Sequence, residues 1–134
     1  MLIEPPLQWQ LVRARLDPIE GSEQAGERPV LIVSTEDINS FIAVVAVLPL
    51  TSARPGRKVY PSEVLRPTGA AGQPQDSIVM AQQIRVISKQ RITGIYGRLA
   101  DSDLREQIRS AMRLYLDLDA QPDDSEVHVE LGDS

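Results

Sequence analysis

The chain has 134 residues, 42% of them hydrophobic and 25% charged, which fits one globular domain of ordinary composition. It has no cysteine and one histidine, His128, so a disulfide scaffold, a thiolate nucleophile, a zinc–cysteine site and a histidine pair within one chain are excluded. The net charge of −5 divides unevenly: residues 1–116 hold 14 bases against 12 acids, whereas residues 117–134 hold 7 acids and no base. Within the body, residues 50–100 carry eight bases against Glu63 and Asp76. A cationic middle suits a polyanion such as nucleic acid, although scattered solvated side chains give the same count. The longest apolar run, Ile42 to Leu48, is too short to span a bilayer, and the N-terminus lacks a basic and apolar leader pattern. Neither a membrane segment nor a secretory signal is expected.

Gln8 to Asp17 carries Trp9, Leu11, Val12 and Leu16 without a breaker and reads as a first strand. Ile19 to Arg28 is polar and glycine-bearing and reads as a hairpin loop. Pro29 to Ser34 is a strand rich in β-branched residues, Glu36 to Asn39 a short turn, and Ile42 to Leu50 a second apolar strand. A basic loop with Pro55 and Gly56 spans Ala53 to Lys58, followed by a strand over Val59 to Leu65. Arg66 to Gln75 is a Pro/Gly loop. Ser77 to Gln83 and Ile84 to Ser88 are strands with a bend between them, and Gly94 to Leu99 is a short strand. Short strands at close spacing predict a small sandwich or barrel.

The period then changes. Leu104, Ile108, Ala111, Met112 and Tyr115 recur every three or four residues, which is one face of a helix packed on the barrel. Asp101 or Ser102 can cap it. Residues 1–118 form the domain and 119–134 an acidic tail, either solvated or adding a short strand through Val127, Val129 and Leu131.

The catalytic inventory is short. No His/carboxylate cluster has metal-ligand spacing, and no G-x-G-x-x-G or P-loop occurs. Ser22, Ser34 and Ser52 lack a histidine partner in the body. What remains is arginine, threonine, serine, glutamine and carboxylate, a set able to stabilise charge on a phosphate without a metal.

Five segments occur in a telling order: GSEQAGERPVLIVS (Gly21–Ser34), VLPLTS (Val47–Ser52), YPSEVL (Tyr60–Leu65), GQPQDSIVMAQQIR (Gly72–Arg85) and the helix after GRL (Gly97–Leu99). The ordered set resembles the MazF/PemK family of toxin endoribonucleases over roughly residues 8–118. That resemblance implies a mainly β fold with a C-terminal α-helix, a compact SH3-like barrel of the CcdB/MazF type, and a cytoplasmic homodimer. It also implies cleavage of single-stranded RNA without metal or other cofactor, and inhibition by a cognate MazE-like antitoxin.

On this resemblance Arg28 and Thr51 match the family's catalytic arginine and threonine. Taken alone, Arg28 would pair with Glu27 or Glu23, and Thr51 would cap a turn. Ser22, Glu23 and Gln24 match the loop bordering the RNA groove. Gln83 and Arg85 match the QIR motif, and Ser52, Arg54, Arg57 and Lys58 follow Thr51 as candidate RNA contacts. Two positions depart from the pattern: Trp9-Gln10 stands where relatives have a Gly-acid pair, and Gln82 stands where some relatives have an aspartate acid/base. The alternatives are a gyrase-poisoning toxin of the same fold and an inactive binding module.

Overall fold

The computed structural model describes residues 3–16, 26–67 and 76–119. Among the described residues, seven strands form one antiparallel sheet: β1 (Gln10–Leu16), β2 (Gly26–Ile32), β3 (Val44–Ser52), β4 (Glu63–Arg66), β5 (Ser77–Met80), β6 (Arg85–Ser88) and β7 (Ile92–Arg98). A short helix α1 (Glu36–Asn39) follows β2, and a long one, α2 (Ser102–Leu116), ends the domain. The strand order is β4-β5-β3-β2-β1-β7, with β6 also paired to β3. The sheet is organised by β3, which pairs with β6 through Val44–Val47, with β2 through Val47–Pro49 and with β5 through Leu50–Ser52.

Alternation along β3 sends side chains to two cores, one on each side of the sheet. Leu48 and Leu50 pack with Trp9, Leu31, Val64 and Val79 beneath Leu104, Ile108 and Ala111 of α2. Val45 and Val47 pack with Val12, Ala14, Val30, Ile32, Ile87 and Ile92 on the other side. The expected helix face of Leu104, Ile108 and Ala111 is therefore a core face, with Met112 partly buried at its margin. Tyr115 lies outside it and is half exposed.

The helix has well-formed ends. Asp101 Oδ1 accepts from the backbone N–H groups of Asp103 (2.8 Å) and Leu104 (3.1 Å). At the far end Asp117 adopts φ 57°, and the Leu118 N–H turns back to the Arg113 carbonyl. The strand over Val127–Leu131 considered for the tail lies outside the described residues.

Several boundaries differ from the sequence expectations. The first strand starts at Gln10, not Gln8, because Trp9 sits in a turn with φ 73°. β2 starts at Gly26, so Arg28 belongs to a strand and not to a loop. The cause is β1, whose Ala14, Arg15 and Leu16 pair with Arg28, Glu27 and Gly26. The strand expected over Val59–Leu65 is confined to Glu63–Arg66, since Pro61 has no N–H to give a ladder and the Glu63 N–H closes a turn onto the Tyr60 carbonyl. The strand expected to reach Gln83 ends at Met80, and Ala81–Gln83 form a 3-10 turn that supplies the bend.

Candidate active site

Arg28 and Thr51 lie on the neighbouring strands β2 and β3. In the β2–β3 ladder Val30 faces Pro49, Leu31 faces Leu48 and Ile32 faces Val47. That ladder ends at Val30–Pro49, two residues short of Arg28 and Thr51, and beyond it β3 pairs with β5. Both positions lie on the sheet face away from α2, since Arg28 alternates with Val30 and Ile32, and Thr51 with Val47. Ala14 faces Arg28 in the β1–β2 ladder, and Ile78 faces both Thr51 of β3 and Leu65 of β4. Arg28 and Thr51 are each partly exposed, at the point where β3 leaves β2 for β5.

The strand pleat also settles the charge around Arg28. Glu27 points to the opposite face, where its carboxylate lies 2.7 Å from Arg13 Nε and accepts from Thr93 Oγ1. The Arg28–Glu27 pair that the sequence allowed is therefore not formed. Glu23, the other candidate partner, lies outside the described residues, as do Ser22 and Gln24. Among the described residues the Arg28 guanidinium and the Thr51 hydroxyl have no hydrogen-bond or ion-pair partner. The face opposite α2 thus presents a partly exposed cation and a partly exposed hydroxyl on neighbouring strands.

The loop after β3 is shaped locally and then locked. Pro55 and Gly56 form a turn with Gly56 at φ 83° and the Arg57 N–H bonded to the Arg54 carbonyl, the pattern in which glycine relieves a left-handed backbone. Arg57, one of the candidate RNA contacts, is engaged within the chain. Arg57 donates to both carboxylate oxygens of Glu63, each at 3.0 Å, and lies 5.9 Å from the Tyr60 ring centroid. Burial pushes the Glu63 carboxyl upward, but the bonds from Arg57, Gln82 and the Tyr60 N–H outweigh it and hold the pKa below the usual value. Arg54 and Lys58 on this loop, and Ser52 at the end of β3, stay exposed, and among the described residues their side chains have no such partner.

Of the remaining motif residues, Arg85 lies further along the same face. Arg85 pairs with Val47 across β3–β6, four residues from Thr51, or about 13 Å along an extended strand. Gln83 is exposed at the end of the 3-10 turn, whereas Gln82 bonds Glu63 and Ser62. The residues that sequence reasoning passed over are Glu63, Tyr60 and Ser62, and Gln82 in its structural role. One signal marked them in advance: Glu63 is the sole acid between Asp37 and Asp76, inside the cationic segment.

Residues 7–116 match the family described as PemK-like, MazF-like toxin of type II toxin-antitoxin system. This chain belongs to that family. It is 36% identical to Endoribonuclease MazF9 of Mycobacterium tuberculosis over 115 residues, covering 82% of this chain and 92% of the relative. It is 32% identical to Endoribonuclease EndoA of Bacillus subtilis over 105 residues, covering 78% of this chain and 89% of the relative. Among solved structures, MazF from Deinococcus radiodurans superposes with a TM-score of 0.68 at 26% identity, over 86% of this chain and 99% of that one. The PemK/MazF fold expected from the motifs, a mostly antiparallel sheet with a C-terminal helix, is the fold found.

Proposed function

We propose that this protein is a toxin endoribonuclease that cuts single-stranded mRNA at the Arg28–Thr51 row, acts as a homodimer in the cytoplasm, and is neutralised by a cognate MazE-like antitoxin. Family membership and the two endoribonuclease relatives support the activity. The observation that supports the site is that Arg28 and Thr51 lie on adjacent strands, on one sheet face by strand alternation, with the guanidinium unpaired among the described residues.

The chemistry follows from the groups available. The ribose 2′-OH attacks the adjacent phosphorus, its proton passing to solvent as the new P–O bond forms. The P–O5′ bond breaks and the 5′ oxygen takes up a proton, leaving a 2′,3′-cyclic phosphate and a 5′-OH. Charge grows on the non-bridging oxygens in the transition state, where a guanidinium already free of other anions stabilises it most. Arg28 has this role. A guanidinium is a poor proton donor, so charge stabilisation is its main contribution. The Thr51 hydroxyl orients the phosphate or the 2′-OH by hydrogen bonding. Arg54, Lys58, Ser52 and Arg85 hold backbone phosphates along the face, Gln83 reads a base edge, and Ser22, Glu23 and Gln24 border the groove.

The test is cleavage of single-stranded RNA by the purified chain in EDTA. The wild type should cut, and a substrate with 2′-deoxyribose at the cut position should resist. Arg28→Ala and Thr51→Ala should each lower kcat/KM by about 100-fold or more while leaving the fold intact. Activity lost on chelation and restored by Mg²⁺ would overturn the metal-independent mechanism. Full activity in either folded variant would overturn the site.

A further inference from the structure

The side chains around Glu63 form a closed network that the cleavage chemistry does not use. The Glu63 side chain is 1% exposed, yet it is a carboxylate. Arg57 Nη1 and the Tyr60 N–H donate to Oε1 at 3.0 and 3.1 Å. Arg57 Nη2 and Gln82 Nε2 donate to Oε2 at 3.0 and 2.6 Å. The far end of the Gln82 amide accepts from Ser62 Oγ at 2.8 Å, and the Ala81 N–H bonds the Ser62 carbonyl. Arg57 also donates to the Lys58 carbonyl. One buried carboxylate therefore joins two segments remote in sequence: the basic loop that follows Thr51, and the 3-10 turn that ends in Gln83.

The place of this network in the sheet gives it a bearing on the site. Thr51 faces Ile78, Ile78 faces Leu65, and Glu63 faces Met80 one row further along. Two strand spacings and two residues of rise put the Glu63 backbone about 12 Å from Thr51. That is too far for contact with a phosphate held at Thr51, so any effect of Glu63 on RNA passes through other residues. A buried ion pair is weak grounds for stability, because a well-packed apolar residue often serves as well or better. Its directional bonds instead fix geometry. Gln82 is consumed at both ends, which leaves Gln83 as the exposed glutamine of the pair.

We propose that Glu63 is a positioning residue for RNA: by tying Arg57 to Gln82 it fixes where Lys58 and Gln83 stand relative to Thr51. The inference rests on the reading of Arg28 and Thr51 as the cleavage centre, and its test has one arm independent of that reading. In Glu63→Gln, two donor groups meet an amide that can accept with only one oxygen. Hydrogen exchange without RNA should then quicken in residues 53–62 and 81–83 together, while α2 keeps its protection. With RNA, KM should rise about tenfold and kcat change less than about threefold, because placement and not the reacting atoms is disturbed. In a Gln83→Ala background the KM penalty of Glu63→Gln should shrink, since the residue being placed is gone. If Glu63→Gln does not fold, Arg57→Lys, which keeps the charge but not the forked geometry, should show the same pattern more weakly.

Exchange rising in only one segment, KM unchanged in a folded variant, a fall confined to kcat, or an undiminished penalty in the Gln83→Ala background would each overturn the proposal. A wild-type chain that neither binds nor cuts RNA would overturn the nuclease reading and the RNA role of Glu63 with it. The exchange arm would still decide whether Glu63 couples the two segments.

Discussion

Arginine is used in opposite ways at two places on this sheet. At the Trp9 corner, Arg105 and Arg109 lie 5.3 and 5.1 Å from the indole centroid, and Arg105 Nε donates to the Leu99 carbonyl at 2.7 Å. Trp9 beneath them is 3% exposed and belongs to the α2 core. Burial, together with Arg98 and Arg109 nearby, lowers the Arg105 pKa. At the Arg28–Thr51 row the guanidinium is partly exposed and has no partner among the described residues. The first corner uses the flat cation as a packing element, adding cation–π attraction to apolar contact. The second leaves a cation on a surface where an incoming anion would meet it. Net charge gives no sign of this difference; the partners of each arginine do.

The contrast can be broken by exchanging readouts. Trp9→Ala should destabilise the fold by about 3–5 kcal/mol, because it empties a large buried volume and strips two guanidiniums of their stacking surface. Arg28→Ala should change stability by no more than about 0.5 kcal/mol while lowering kcat/KM by about 100-fold or more. Urea denaturation of both variants checks the pair. A strongly destabilised Arg28→Ala chain would place Arg28 with the structural arginines and remove the ground for its catalytic role.

Acid sharpens the comparison by separating the carboxylates. Glu63 and Glu36 both have folded pKa values below the usual one, although burial alone would raise them. For Glu36 the opposing cause is bonding from the Gln8 and Leu7 N–H groups and from Asn39, with the Arg98 charge adding to it. A depressed carboxylate pKa stabilises the fold above the unfolded value, and that stability is lost as pH falls through the folded value. Unfolding free energy should therefore decline below the ordinary glutamate range, and Glu63→Gln should make the acid limb shallower. An acid limb of unchanged slope in that variant would show that Glu63 keeps its ordinary pKa in the fold.

Much of this is legible in the sequence, and for identifiable reasons. Leu104, Ile108 and Ala111 announce α2, a helix of 15 residues, because apolar residues at a 3.6-residue period are the mark of a helix with one buried face. β3 announces itself as an unbroken apolar run. Arg28 and Thr51 stand 23 positions apart, and in the sequence only their motifs draw them together; in the fold they share neighbouring strands. What the sequence hides is long-range. β2 begins at Gly26 because β1 is there to pair with it, which no local propensity encodes. Arg57 resembles its cationic neighbours in sequence, and only folding brings Glu63 beside it. Trp9 has the composition of a strand residue, but its left-handed backbone places it in the turn before β1.

The smallest expected effect lies at the start of α2, which leads into the Trp9 corner. Asp101 caps two backbone N–H groups at 2.8 and 3.1 Å, and its carboxylate also faces the positive end of the helix dipole. Asp101→Ala should cost about 1 kcal/mol, the usual loss when a capping acceptor is removed, and Asp101→Asn should recover most of it. The cap lies two residues beyond Leu99, whose carbonyl anchors Arg105, so loosening it should fray the turn that carries Arg105 over Trp9. Arg28 is on the other face of the sheet and should not feel that change. Asp101→Ala should then cleave RNA at the wild-type rate at temperatures where it remains folded. A loss of activity without a loss of folded protein would mean that the two arginine regions are coupled through the sheet, and the separation drawn between them would have to be abandoned.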